Sequence, residues 1–240
     1  MQAVSEDARK LKDKADRIIR NGAAMKPTEI DGIEVSSVDD LPYYLLRLEI
    51  KRRFRQPEPI DLAVRDYPGE VFHELSGGQR SDLYQDFISE SLAADVVGCL
   101  VMLPDWEPGT DDDYSRMVDH FLLEMDTHNR LTDLRLAVVM SKCERGEIWP
   151  GRLDPSDDLF GVHLSRTRNI LRDQMPPQNL RFFALSTFGV LEPKDPRPNR
   201  MDEGQGAKGA VLRQSDSWRP YGMLAPLYWL STGQTLNSHV

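Results

Sequence analysis

Three short apolar runs constrain this chain most: "DVVGCLVML" (95–103), "LRLAVVMS" (134–141) and "LRFFALS" (180–186). A continuous apolar run has no polar face to show to water, so it suits a strand covered on both sides, as in a parallel sheet. Between the runs lie segments of a different period. "DYSRMVDHFLLEM" puts Tyr114, Met117, Val118, Phe121, Leu122 and Met125 on one helical face, and "VHLSRTRNILRDQM" reads as a more polar helix. Strand–helix alternation of this kind predicts a three-layer, mostly parallel α/β sheet with right-handed crossovers.

The flanking segments are consistent with that frame. Ala8, Leu11, Ala15, Ile18 and Ile19 form an apolar stripe that Asn21-Gly22 ends, which predicts an N-terminal helix. "LLRLEI" alternates Leu46, Leu48 and Ile50 with Arg47 and Glu49, the pattern of a half-buried strand, and "IDLAVRDYPGE" is a second short run ending in turn residues. Ser81 or Asp82 can cap a helix carrying Leu83, Tyr84, Phe87, Ile88 and Leu92 on one face. Residues 191–220 are rich in proline, glycine and charge and read as a long exposed loop, after which "YGMLAPLYWLST" reads as a last helix packing back on the sheet. The expectation is one domain, 1–240, with that loop inserted near its end.

Charge narrows the partners. The 240 residues carry a net charge of −9, which opposes nucleic-acid phosphates and anionic membrane surfaces. A bound nucleotide is still compatible, because local N–H groups and a metal ion can meet its phosphates. The two cysteines, Cys99 and Cys143, have no metal or disulfide spacing, and no apolar run reaches the roughly 18 residues that cross a bilayer. A cytoplasmic protein without membrane insertion is expected.

In open α/β sheets ligands bind beyond the carboxyl ends of the strands. Those positions hold Asp66-Tyr67-Pro68-Gly69-Glu70, Pro104-Asp105-Trp106, Ser141-Lys142-Cys143-Glu144 and Ser186-Thr187-Phe188-Gly189. In this order they resemble the motifs of the P-loop GTPase superfamily, a Rossmann-like architecture, over roughly residues 20–235. "DYPG" is similar to the Asp-x-x-Gly motif, "SKCE" stands where that family has Asn/Thr-Lys-x-Asp, and "LSTFG" where it has Ser-Ala. Gly-Glu after the aspartate motif and the closing "PLYWL" look most like bacterial double-GTPase-type proteins of conflict and defence systems, within the translation-factor-related class.

The resemblance implies a guanine-nucleotide switch that uses GTP or GDP with Mg²⁺. Asp66 and Thr28 would hold the metal, Gly69 would offer its N–H to the γ-phosphate, and Glu70 would orient the attacking water. Lys142 and Glu144 would recognise the base, with Ser186 and Thr187 beside them. A protein partner would read residues 28–40 and 68–82. No Gly-x-x-x-x-Gly-Lys-Ser/Thr occurs in the chain, so the family's phosphate loop and the central strand before it are lacking. The expectation is that an N-terminal piece of some tens of residues supplies them. The alternative is a non-hydrolysing scaffold that keeps the fold for protein interaction.

Each residue also has a plainer role. "DYPG" can be a simple Pro-Gly turn, Lys142 and Glu144 solvated loop charges, Thr28 a surface threonine and Glu70 a helix-start acid. Asp111, Asp112 and Asp113 suggest a helix cap rather than a metal site. Cys143 beside Lys142 invites a lowered thiol pKa, but no histidine stands near it in sequence. "LSGGQR" at 75–80 matches the signature of ABC-type ATPases. There, however, the strand-end Asp-Glu pair is expected where this chain has Asp105-Trp106, so a mobile loop after "DYPGE" is the better reading.

Overall fold

The computed structural model describes residues 2–21, 38–50, 58–65, 67, 71, 74, 81–104, 106–192, 194–202 and 210–236. The chain divides into two compact units: residues 1–67 with 199–218, and residues 68–198 with 219–240. The molecule is mixed α/β.

In the first unit, β1 (Gln2–Ala3), β2 (Tyr43–Ile50) and β3 (Glu58–Arg65) form an antiparallel sheet in the order β1-β2-β3. Leu48 is buried while Arg47 and Glu49 are exposed, as the alternation requires. Arg47 lies directly opposite Asp61 and makes a two-pronged ion pair with it at 2.7 and 2.9 Å. The predicted N-terminal helix is α1 (Glu6–Asn21), buried through Ala8 and Ile18. Ser5 caps it, accepting from the Ala8 N–H, and ties it to β2 by donating to the Tyr43 carbonyl at 2.8 Å.

The second unit holds a three-stranded parallel sheet in the order β4-β5-β6: β4 (Gly98–Leu103), β5 (Arg135–Met140) and β6 (Leu180–Ala184). Its helices are α2 (Asp82–Ser91), α3 (Thr110–Thr127), the short α4 (Gly161–His163), α5 (Ser165–Gln174) and α6 (Ala225–Thr232). Alternate residues of β5 feed two separate clusters. Leu136, Val138 and Met140 pack with Tyr84, Phe121 and Leu171, while Ala137 packs with Trp229 and Leu230 of α6. The last helix therefore packs back on the sheet as expected. Gly98 permits its close approach, since a Cβ there would lie 2.7 Å from Leu230 Cδ2.

Two expectations change. The run containing β4 is not covered on both faces: the strand is half-buried along most of its length, with Met102 49% exposed. The reason is its position, because β4 is an edge strand bonded to β5 alone among the described residues. Residues 191–220 are not one loop. They contain the antiparallel pair β7 (Val190–Glu192) and β8 (Asp195–Pro198), then the pair β9 (Arg200–Asp202) and β10 (Ala210–Leu212). Asn199 anchors the second pair from a buried position, its side chain bonded to both the carbonyl and the N–H of Gln214.

Candidate site at the carboxyl ends of the parallel strands

Beyond β5 the chain turns sharply. Lys142 adopts a left-handed backbone with φ of 58°, a conformation that costs a non-glycine residue on the order of 1–2 kcal/mol. Two backbone bonds hold it there: Arg145 N–H donates to the Lys142 carbonyl, and Cys143 N–H donates to the Leu185 carbonyl at 3.0 Å. The second bond joins the end of β5 to the end of β6.

That junction brings four of the expected residues together, Lys142 and Glu144 after β5 and Ser186 and Thr187 after β6. Ser186 is buried. Its backbone exchanges two 2.9 Å bonds with Tyr221, and its Oγ accepts from the Gly189 N–H at 2.8 Å. Thr187 is exposed. The Tyr221 side of this bridge depends on Gly222, with φ of 72°, where a Cβ would fall 2.0 Å from the Ala184 carbonyl oxygen.

Glu144 is not a solvated loop charge. It is 1% exposed, and its Oε2 is buried without a hydrogen-bond partner. Cys143 is also buried, and burial pushes its thiol up to about 12, the opposite of an activated nucleophile. Arg145 lies over the Trp106 ring at 4.5 Å, linking the turn after β5 to the segment after β4.

The expected metal and catalytic residues Thr28, Asp66, Gly69 and Glu70 lie outside the described residues, as does "LSGGQR". Among the described residues no three His, Cys, Asp or Glu side chains are grouped to hold a metal. Asp111 is otherwise engaged: it accepts from the N–H groups of Arg166 and Thr167 at 2.9 and 3.0 Å and so caps α5, not its own helix. Among the described residues no helix is long and apolar enough to cross a membrane.

Three residues at this end were not legible as functional candidates: Trp149, Arg152 and Tyr221. The Arg152 guanidinium lies over the Trp149 ring at 3.9 Å and over the Tyr221 ring at 5.5 Å. Their only sequence signal is aromatic residues in turn-rich, polar segments. A cavity of about 530 Å³, lined by Leu153, Ser156, Arg172, Arg181 and Phe182 among others, lies near the start of β6 and touches none of the four expected residues. The strand-end cluster, with a strained backbone and an orphan carboxylate oxygen, is the better functional candidate.

No family model, no curated protein and no solved structure matches this chain.

Proposed function

We propose that this chain is a GTPase-like nucleotide-binding switch of P-loop NTPase architecture, a three-layer sheet that binds GTP with Mg²⁺ and hydrolyses it slowly when a phosphate loop is supplied. The observation that carries the reading is the pairing of Lys142 and Glu144 with Ser186 and Thr187 at adjacent carboxyl ends of β5 and β6, joined by the Cys143–Leu185 backbone bond. An unpartnered, buried Glu144 oxygen adds to it, since a base N–H donor satisfies such an acceptor. The ligand class and the roles of the undescribed residues come from the motif order. Asp66 and Thr28 are assigned to Mg²⁺, Gly69 to the γ-phosphate and Glu70 to the attacking water.

Glu144 in the place of that family's aspartate, one methylene longer, favours the second reading, a non-hydrolysing scaffold that keeps the fold for protein interaction. Calorimetric titration with GDP and ADP, with and without Mg²⁺, separates the two. A switch binds GDP at least tenfold more tightly than ADP, and Asp66→Ala abolishes the Mg²⁺ dependence. No heat from GTP or GDP at millimolar concentration overturns the switch.

A further inference from the structure

The cavity of about 530 Å³ near the start of β6 touches none of Lys142, Glu144, Ser186 or Thr187, and its walls are mainly apolar. Leu153, Pro155, Met175, Pro177, Leu180 and Phe182 supply them. Met175 is buried, and the half-buried Phe182 ring sits 4.8 Å from that of Phe160, so the inner side is fixed to the core. Leu153 is 76% exposed and Pro177 is exposed, which opens the apolar walls to solvent at the mouth. Small-molecule sites have this size and this make-up, an apolar lining with a few placed polar groups.

One wall comes from a rare turn. Residues Pro155–Phe160 form a π-helix, in which the Gly161 N–H donates to the Ser156 carbonyl five residues back, and such wide turns recur at functional sites. This one buries Leu159 and Phe160 and brings Ser156 to Arg172, whose Nη2 donates to Ser156 Oγ at 2.7 Å. Asp157 lies 3.5 Å from the same nitrogen, but its carboxylate is bonded closely to Arg168. Among the described residues Nε and Nη1 of Arg172 make no hydrogen bond. Arg181 also lines the cavity, yet its Nη1 donates to Thr235 at 2.7 Å and its guanidinium lies over the Trp229 ring. Arg172 is therefore the cation with donors to spare beside an apolar wall.

We propose that this cavity binds a small carboxylate with an apolar body, of the arylalkanoate class. Arg172 holds the carboxylate, and Leu153, Met175 and Phe182 cover the body. Guanidinium–carboxylate bonds are charge-assisted and stronger than neutral ones, so the acid group fixes the orientation. A monoanion suits the site better than a phosphate dianion. Asp154 lines the cavity and Asp157 lies beside Arg172, and both repel each added negative charge. The site is separate from the nucleotide reading and stands or falls without it.

The test is an NMR titration of the full chain with phenylbutyrate, phenylbutanol, acetate and phenylpropyl phosphate. The wild-type chain binds phenylbutyrate with a Kd on the order of 1 mM and perturbs amides of 153–160 and 172–182. Phenylbutanol, which lacks the charge, and acetate, which lacks the body, bind about tenfold more weakly or worse. The phosphate also binds more weakly than the carboxylate. Arg172→Gln lowers phenylbutyrate affinity about tenfold and leaves phenylbutanol unchanged, so the preference for the acid collapses. Leu153→Ser, at the exposed mouth, weakens both phenyl ligands about threefold. Both substituted side chains are exposed, and melting within a few degrees of wild type shows that the changes report binding and not folding. Equal binding of phenylbutyrate and phenylbutanol, tighter binding of the phosphate, or perturbed amides only outside the two segments overturns the proposal. So does an Arg172→Gln chain that keeps the wild-type preference, or a wild-type chain that no phenylbutyrate perturbs at tens of millimolar.

Discussion

Cys143 shows what placement does to a residue whose neighbours in sequence suggest something else. Beside Lys142 it invites a lowered thiol pKa, but desolvation moves it up to about 12, and its Sγ donates to the Met140 carbonyl at 3.1 Å. The unfolded thiol ionises near 8.5, so folding holds back a proton that the unfolded chain releases. The associated stability is complete below about pH 8.5 and is lost as pH rises toward 12. Between pH 8 and pH 10 the wild-type chain therefore loses about 2 kcal/mol more than Cys143→Ala, read from denaturant midpoints. Equal pH dependence in the two chains refutes the assignment. Glu144 carries the same lesson. Its residue type and its place after a strand were legible, but its burial was not, because burial depends on tertiary packing that no local pattern records.

At the scale of elements, apolar periodicity located the strands and helices well, since a face that must be buried marks itself in the composition of the segment. Ser81 caps α2 as expected, with its Oγ accepting from the Tyr84 N–H at 3.1 Å and donating to Glu74 at 2.8 Å. What periodicity does not carry is the partner of an element. Asp111 sits in the first turn of α3 yet caps α5, 56 residues from Thr167. Asp111→Ala should destabilise the protein by about 1–2 kcal/mol through lost capping. Asp112→Ala removes only an exposed pair with Arg166 and should cost less than about 0.5 kcal/mol. Equal denaturant midpoints for the two variants would contradict the cap. The segment 191–220 was misread for a related reason. Strands of three or four residues are too short to show a period, and proline within β8 disguises it.

For the whole molecule, the two units differ in how thoroughly they bury backbone. β5 is bonded on both sides and buried from Leu136 to Met140, whereas β2 is flanked by the two-residue β1 and by β3 and is buried only in part. Hydrogen exchange followed by mass spectrometry should therefore find amides of 136–140 at least tenfold slower than those of 43–50. Faster exchange in β5 would mean that the parallel sheet is not the stable centre. By itself the amino-acid sequence determined the α/β class, the element positions and the motif order at the strand ends, because these depend on local composition and spacing. Only the tertiary structure decided that β4 is an edge among the described residues, that Asp111 caps α5, and that Arg152 and Tyr221 meet. Those facts rest on contacts between residues far apart in sequence, which no local pattern records.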